Sequence, residues 1–407
     1  MKSESTGRNR KIKVLFISDP VEVGGASKSL IDVVSAMARR SVECTVCTSG
    51  HGSIERALDK LQIRCIADGH MAAMEVPPDS KIKRIPVFLL RSIQYKISLI
   101  KAMRIIERQI DISAIDLIHT NSARNDLGCM LAQKYHIPHI VHIREFGDAD
   151  FGCWAYRMHY VEYLSSHTDR FICISNAVKD SWEKKGINPQ KMQTIYNGVN
   201  DSEIVPIECD DHYLDETIKL VIVGGVCEAK GQMEAVQALA YLPMSIREKV
   251  HLDIIGWGNE EYINLMKSEI NEKNLTNTVS LLGALEHVEK KLSQYHIGLM
   301  CSRAEGFGRV TAEYMHAGLG VIASKAGANK EIVTDHRTGL LYTKGNPKNL
   351  AEKIAEFYAH RDTLMDCAKR GQDYARKNYT KEINADRIYE AYINTLSEFR
   401  GNEYGTE

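Results

Sequence analysis

Two glutamates, Glu305 and Glu313, stand eight residues apart in a segment whose other residues suit a phosphate-containing ligand. The glycines Gly306 and Gly308 lie between a short apolar run and the predicted helix Val310–Ala317. Backbone N–H groups and the positive dipole end of a helix N-terminus bind phosphate, and glycine allows close approach. A phosphate repels carboxylates, so we interpret the two glutamates as hydrogen-bond acceptors for sugar and ribose hydroxyls. The alternative is that Glu305 caps the turn and Glu313 is solvated.

Short apolar runs that alternate with helical stretches must position this segment, and they predict an α/β chain with a parallel sheet in each half. Residues 200–217 are polar and acidic and are interpreted as the linker. Ligands of doubly wound domains bind beyond the carboxyl ends of the strands, so the site is expected between the two domains. The predicted strands are Ile12–Ser18, Val42–Thr48, Leu117–Thr120, His139–Arg144, Arg170–Ser175 and Met192–Tyr196, then Ile218–Gly224, Leu252–Gly256, Val279–Leu282, Ile297–Met300 and Gly320–Ser324.

Composition excludes several classes of protein. The 407 residues carry a formal net charge of −1, which gives no electrostatic case for a nucleic-acid partner. Met1–Lys11 has no apolar core of a secretory signal, no apolar run is long enough to span a bilayer, and ten cysteines are scattered without a disulfide-like pattern. We therefore expect a cytoplasmic protein. Cys44 and Cys47 form a CxxC, but on a strand they point to opposite faces, which argues against a metal or redox site.

A family resemblance joins these features. Glu305–Ser324 resembles the E-x7-E signature of the retaining glycosyltransferases of family 4, including its Ala-Gly turn and following strand, and Val223–Gln232 resembles that family's C-terminal glycine loop. The resemblance implies the GT-B fold, with two doubly wound Rossmann-like domains facing across a cleft and a C-terminal helix crossing back to the first domain. Residues 1–205 with 380–407 would bind the acceptor, and residues 206–379 the donor.

The resemblance also implies roles for individual residues. Lys230 would neutralise the donor diphosphate, Glu305 would orient the sugar and Glu313 would hold the ribose. Many family members have arginine where this chain has Gly225, and Arg309 or Arg303 is the candidate replacement. The full set of implied donor-binding residues is Gly25, Asn197, Gly225, Lys230, Gly256, Leu282, Glu305, Gly306, Phe307, Gly308, Arg309, Val310 and Glu313.

In the first half of the chain, the resemblance implies that His142, at a strand end, contacts the donor sugar, which completes a catalytic set with Lys230 and Glu305. Gly24, next to Gly25, would line the acceptor site, as would Arg144 and Glu145. Each has a plainer interpretation: the glycine pair as a tight turn, Asn197-Gly198 as a hairpin-type turn, and His142 as a core histidine.

The implied activity is retaining transfer of a hexose or related sugar from a UDP- or GDP-sugar to a glycan or lipid-linked acceptor in surface polysaccharide biosynthesis. The leaving phosphate would draw off the acceptor proton. We expect no metal or other cofactor, because no strand ends in Asp-x-Asp before a helix, and Asp148-Ala149-Asp150 has only loop context. Two rivals stay open: a GT-B epimerase or phosphorylase, and a non-catalytic scaffold. The scaffold is favoured by Gly225 and by Gly320, where proline is usual.

Residues 81–108 predict a basic amphipathic helix. Its apolar stripe either rests on an anionic membrane, giving peripheral membrane contact on the inner face of the cytoplasmic membrane, or packs on the first sheet while the charges are solvated. Its basic residues are Lys81, Lys83, Arg84, Arg91, Lys96, Lys101, Arg104 and Arg108, and its apolar stripe is Ile85, Leu89, Ile93, Ile97 and Ile100.

Overall fold

A computed structural model describes residues 10–19, 22, 24–78, 80–147, 152–208 and 210–404. The chain divides into two compact units, Met1–Ile195 with Asn384–Glu407 and Tyr196–Ile383. The boundary expected from the sequence, 205/206, falls inside the second unit. Asp148-Ala149-Asp150 and Cys209 lie outside the described residues, as does nearly all of Met1–Lys11.

The first unit is built on a parallel sheet. Its strands are β1 (Lys13–Ser18), β2 (Glu43–Thr48), β3 (Arg64–Ala67), β5 (Leu117–Thr120), β6 (His139–Ile143), β8 (Arg170–Cys173) and β9 (Met192–Thr194), and a separate antiparallel pair is formed by β4 (Met74–Glu75) and β7 (Trp154–Ala155). The strand order is β3-β2-β1-β5-β6-β8-β9. Its helices are α1 (Gly25–Arg39), α2 (Ser53–Lys60), α3 (Lys81–Gln109), α4 (Leu127–Tyr135), α5 (Tyr160–Ser166) and α6 (Asn176–Lys184).

The second unit repeats this design. Its strands are β10 (Ile218–Val223), β11 (Val250–Ile255), β12 (Val279–Gly283), β13 (Ile297–Met300), β14 (Gly320–Ser324) and β15 (Leu340–Tyr342). They pair in parallel in the order β12-β11-β10-β13-β14-β15. Its helices are α7 (Gln232–Tyr241), α8 (Met244–Arg247), α9 (Glu260–Glu272), α10 (Arg309–Ala317), α11 (Asn329–Ile332), α12 (Pro347–Ala359) and α13 (Arg361–Asn378).

Both sheets reverse their strand order once. In the first unit the chain moves outward through β2 and β3 and then returns to pair β5 with β1; in the second it returns to pair β13 with β10. Loops that leave the carboxyl ends of such a strand pair diverge and open a crevice where ligands bind. The predicted residues Lys230 and Glu305 follow β10 and β13, so the fold places both at the switch point of the second unit.

The last helix, α14 (Lys381–Tyr404), begins in the second unit, and from Asn384 onward it belongs to the first. Ile388 and Tyr392 are fully buried in the first unit's core with Phe16 of β1, and Arg170 of β8 donates to Glu398 at 2.6 Å. The predicted fold class, two Rossmann-like domains with a returning C-terminal helix, is confirmed.

Two features differ from expectation. The edge strands β3 and β15 were missed, because short runs such as Arg64–Ala67, with its exposed arginine, lack a long apolar signature. The prediction that the apolar stripe of residues 81–108 packs on the first sheet is wrong. Ile85, Leu89 and Ile93 are exposed, and other residues of α3 are buried in the first unit. Within the described ranges, every helix falls short of the length and apolarity that a bilayer span requires.

Candidate active site

Lys230 lies in a short 3₁₀ turn between β10 and α7. The backbone N–H of Arg303 donates to the carbonyl of Ala229 at 2.9 Å, which ties this turn to the loop after β13. Gly231 has φ +72°, and an added Cβ would lie 2.3 Å from the carbonyl oxygen of Cys301. A glycine is therefore required after Lys230, because only a residue without a Cβ lets this loop pack against the end of β13. This packing places Lys230 beside Glu305.

Glu305 makes two contacts with its two carboxylate oxygens. Oε2 accepts from Lys230 Nζ at 3.0 Å, and Oε1 accepts from the backbone N–H of Gly308 at 3.1 Å. Glu305 therefore caps the turn before α10 and also lies beside Lys230, so the capping and site interpretations both hold for its position. The Lys230 side chain remains 41% exposed, and an ammonium has three donors, so it can hold Glu305 and still meet a phosphate.

The glycine segment leads into α10 as the sequence predicts. Gly308, at φ +83°, is the residue before α10, and Val310 lies in the first turn, whose backbone N–H groups lack partners within the helix. Phe307 is buried against the rings of Tyr196 and Tyr379, so its side chain anchors the turn. Any contact of Phe307 with a ligand must therefore come from its backbone.

Arg309 and Glu313 pair with each other across one turn of α10. Arg309 Nε donates to Glu313 Oε1 at 3.2 Å, and Arg309 Nη1 lies 3.4 Å from the carbonyl oxygen of Gly198. The neighbouring Asn197 is buried, and a Cβ on Gly198 would lie 2.5 Å from the Thr380 carbonyl oxygen. The Asn197-Gly198 turn is thus fixed beside the start of α10, and Arg309 is already engaged without a ligand.

Gly256 is explained by backbone packing. It has φ +156°, and an added Cβ would lie 1.8 Å from the carbonyl oxygen of Gly224 in the adjoining loop. The exposed Trp257 accepts from the Val226 N–H at 2.7 Å through its carbonyl oxygen. Leu282, near the end of β12, is 40% exposed. The loops after β10 and β11 therefore pack against each other, and the end of β12 lies next to them.

Gly225 contrasts with Gly256. Among the described residues, the atom nearest to an added Cβ at Gly225 is the Trp257 carbonyl oxygen, at 3.9 Å. Gly225 is exposed, and its carbonyl oxygen accepts from Gln232 at 2.9 Å. The position expected to carry arginine therefore has room for a longer side chain.

Gly24 and Gly25 lie at the exposed start of α1. Gly24 precedes α1 with φ −137°, Gly25 is its first residue, and among the described residues nothing lies within 4 Å of an added Cβ at either. Ser27 Oγ accepts from the Gly24 N–H at 2.6 Å and so holds the helix start. The turn before these glycines lies largely outside the described residues, so the tight-turn interpretation stays a prediction, while the two glycines form an exposed helix start.

His142, at the end of β6, is fully buried and stacks on His119 at 5.4 Å. Arg144 Nη2 donates to His142 Nδ1 at 3.2 Å, so the ring proton is on Nε2, which has no hydrogen-bond partner among the described residues. Burial, with a smaller contribution from Arg144, holds the pKa of His142 well below its usual value. His142 is therefore a neutral, buried donor.

Arg144 and Glu145 are both largely buried. Arg144 Nε donates to Asn121 Oδ1 at 2.8 Å, and Ser122 Oγ donates to Glu145 Oε1 at 2.8 Å. Both partners follow β5, so these side chains join the loops after β5 and β6. The predicted residues thus form two groups, one at the strand ends of each unit, and their individual roles remain predictions.

Sequence reasoning missed a charged cluster after β1 and β3. His70 is buried, with Nδ1 2.5 Å from Asp68 Oδ1 and Nε2 3.3 Å from Asp19 Oδ1. Burial lowers the pKa of His70, but the hydrogen bonds and charges of the two carboxylates outweigh it and raise the pKa to about 9. Asp19, at the end of a predicted strand, is the one residue of the cluster whose position the sequence indicates. Asp68 and His70 follow β3, a strand that the sequence pattern did not predict.

The His70 cluster predicts a pH dependence. Because the folded pKa lies above the usual 6.5, its contribution to the free energy of unfolding is fully present below pH 6.5 and is lost as pH rises through about 9. The loss is at most on the order of 3 kcal/mol. NMR titration of the His70 ring should give a midpoint near 9. A midpoint at or below 6.5 would contradict the ion pairs; His139, whose pKa burial lowers to about 4, is the internal control.

One group among the described residues could hold a metal ion by distance alone: His212, Asp215 and His296. His296 Nδ1 accepts from the Lys219 N–H at 3.0 Å, and His296 Nε2 lies 2.9 Å from the His212 carbonyl oxygen. The proton must therefore be on Nε2, the atom that faces the cluster. These hydrogen bonds make His296 a structural donor, and a metal would need that nitrogen deprotonated.

Comparison with known families matches both halves of the chain. Residues 211–374 match the family described as "Glycosyl transferases group 1", and residues 23–203 match "Glycosyltransferase Family 4". An uncharacterized glycosyltransferase of Methanocaldococcus jannaschii, MJ1178, is 28% identical over 291 residues, covering 70% of this chain and 77% of the relative. The lipopolysaccharide core biosynthesis mannosyltransferase LpcC of Rhizobium leguminosarum is 24% identical over 139 residues, 34% of this chain and 40% of LpcC.

A solved structure shares the fold. Anabaena HepE in complex with UDP superposes with a TM-score of 0.75 at 20% identity, covering 94% of this chain and 100% of HepE. The same protein has been solved with UDP-glucose, with a TM-score of 0.73.

Proposed function

Because this chain belongs to the group 1 glycosyltransferases of family 4, we propose that it transfers a hexose or related sugar from a UDP- or GDP-sugar, with retention, to a glycan or lipid-linked acceptor. The observation that carries the proposal is the pairing of Lys230 with Glu305 at the switch point of the second unit, beside the start of α10. HepE binds UDP and UDP-glucose, which supports a nucleotide-sugar donor.

The donor would lie along the loops after β10 and β13. Lys230 Nζ and the first N–H groups of α10 would meet the diphosphate, since both present positive charge. Glu313 would accept from the ribose hydroxyls, and Glu305 from a sugar hydroxyl. The Lys230 and Arg309 cations support a site that works without a metal ion, so chelation by EDTA should leave activity unchanged.

The reaction breaks the bond between the anomeric carbon and the diphosphate oxygen, whose electron pair stays on the phosphate. The acceptor oxygen bonds to the anomeric carbon on the same face, and its proton passes to the leaving phosphate. Lys230 and the α10 backbone would stabilise the developing negative charge. The Nε2–H of His142 has no acceptor among the described residues, which supports contact with a sugar oxygen, because a buried donor without an acceptor is costly until a ligand supplies one.

The names of two relatives support the proposed biological setting. LpcC and the capsular polysaccharide glycosyltransferase CapH of Staphylococcus aureus both act in surface-glycan synthesis by name, which supports polysaccharide biosynthesis for this chain. Gly24, Arg144 and Glu145 would line the acceptor side. The described cysteines are all free thiols, in keeping with the reducing cytoplasm that we propose as its location.

Donor hydrolysis tests the proposal without knowledge of the acceptor. Full-length protein is incubated with UDP- and GDP-hexoses, release of UDP or GDP is measured, and the anomeric configuration of the freed sugar is recorded by NMR before mutarotation. We expect one donor to be cleaved with retention. An inverted product would contradict the mechanism, and failure with every donor, alone and with candidate acceptors, would favour the non-catalytic scaffold that Gly225 suggests.

Substituting Gly225 tests the diphosphate position. Gly225→Arg has room for its side chain and should tighten UDP or GDP binding by on the order of tenfold, since a charge-assisted hydrogen bond is worth about 1.5–3 kcal/mol. Gly225→Glu, which puts the opposite charge in the same place, should weaken binding. Calorimetric titration measures both; equal affinities for the two variants would place the diphosphate elsewhere.

A further inference from the structure

The solvent face of α3 is apolar along most of its length. Ile82 is 90% exposed, Ile85 74% and Leu89 59%. Such a contiguous set of large aliphatic side chains marks a docking surface in a folded protein. The apolar stripe consists of Ile82, Ile85, Leu89, Leu90, Ile93, Ile97 and Ile100.

The stripe is not the face by which α3 is held in the fold. Tyr95, Leu99 and Ile106 are buried, and at 3.6 residues per turn they lie on the opposite side of the helix from the stripe. Tyr95 also donates to Asp126 at 2.6 Å, and Phe88 packs edge-on against Trp154 at 5.2 Å. The helix therefore has two apolar faces, one satisfied within the first unit and one left in water.

The charges around the apolar stripe of α3 indicate which kind of partner this exposed face binds. Residues 81–106 contain no acidic side chain, and Glu107 is the first, although the whole chain has a formal net charge of −1. Lys96 and Lys101 are exposed beside the stripe. Basic side chains flanking an apolar face are what an anionic lipid surface attracts, while two copies of this face would bring like charges together. The helix spans 29 residues, roughly 44 Å, and can lie along a plane.

We propose that α3 docks the protein on an anionic lipid surface, with the apolar stripe in the headgroup boundary and the lysines and arginines on lipid phosphates. This binding does not depend on the donor chemistry proposed above. If that chemistry also holds, membrane docking favours lipid-linked acceptors over free glycans, and this last step rests on the proposed function.

Vesicle co-sedimentation of the full-length protein tests the docking and requires no activity. The probes are mixed phosphatidylglycerol–phosphatidylcholine vesicles and pure phosphatidylcholine vesicles, at low and high salt. We expect binding to the anionic vesicles that weakens with salt. Lys96→Gln with Lys101→Gln should weaken it roughly thirtyfold, at about 1 kcal/mol per charge. Leu89→Asp with Ile93→Asp should abolish it.

Matched controls lie on the second unit. Lys267→Gln with Lys273→Gln removes two exposed lysines there, and Met244→Asp with Leu265→Asp replaces two exposed apolar residues. Both controls should bind vesicles like the wild type, and circular dichroism should show all four variants folded.

Three results would overturn the proposal. The first is a wild type that does not bind anionic vesicles at low salt, and the second is a loss of binding in the controls as complete as in the α3 variants. The third is a dimer, seen by light scattering, that Leu89→Asp with Ile93→Asp dissociates while vesicle binding is unchanged, which would make the stripe a self-association face.

Discussion

Replacing Lys230 by methionine should lower kcat/KM for the donor by on the order of 10²–10³-fold, the loss typical of removing one preorganised group that stabilises developing charge. Methionine keeps much of the side-chain length and loses the ammonium that reaches Glu305 at 3.0 Å. Glu305 would keep its bond from the Gly308 N–H, so the loop should keep its shape. Steady-state donor hydrolysis, with a thermal unfolding scan to verify folding, measures the effect.

Two further variants serve as controls for Lys230→Met. Lys325→Met removes a half-exposed cation of the same unit, paired with Asp335 at 3.8 Å, and should leave kcat/KM within about twofold, as the loss of a weak surface ion pair would. Lys230→Arg keeps the charge and should retain part of the activity. If Lys230→Met and Lys325→Met are equally active, Lys230 does not serve the reaction.

Replacing Gly256 by alanine should destabilise the second unit by about 2–5 kcal/mol, in the range of the largest single-site effects. The added Cβ would lie 1.8 Å from the Gly224 carbonyl oxygen, and φ +156° is strained for any residue with a Cβ. Neither problem is relieved by a side-chain rotation, because the obstacle is backbone. The melting temperature should therefore fall by roughly 10 °C.

Gly225→Ala is the matched control for Gly256→Ala. It lies in the adjoining loop, and its added Cβ would meet nothing closer than 3.9 Å, so its melting temperature should stay near that of the wild type. Equal melting temperatures for the two variants would show that the loops after β10 and β11 do not pack as described.

The second unit was largely predictable, because every one of its strands except the short edge strand β15 is a mainly apolar run of four to six residues. The sequence also indicated where Lys230 and Glu305 lie, since both follow strands that meet at the switch point. Periodicity could not reveal that Arg309 pairs with Glu313 in the absence of a ligand. That contact depends on rotamers one helical turn apart, which the pattern leaves open.

Other features depend on contacts distant in the sequence. The His70 cluster joins residues after β1 and β3, and it could not be inferred without recognising β3. For α3, the sequence shows apolar residues on two faces of the helix but does not indicate which face packs against the rest of the first unit. Tyr95 is buried there because Asp126 before α4 and Tyr156 after β7 offer it partners, and the more regular stripe is exposed.

Titration of UDP and of GDP into the wild type, Glu313→Ala and Glu272→Ala tests the central claim most directly, that the loops after β10 and β13 hold a nucleotide-sugar donor. We expect one nucleotide to bind the wild type and the exposed-surface control Glu272→Ala equally. Glu313→Ala should bind it on the order of tenfold or more weakly, since it loses a charged acceptor for the ribose hydroxyls. If neither nucleotide binds the wild type at millimolar concentration, or if Glu313→Ala binds like the control, this donor site is contradicted.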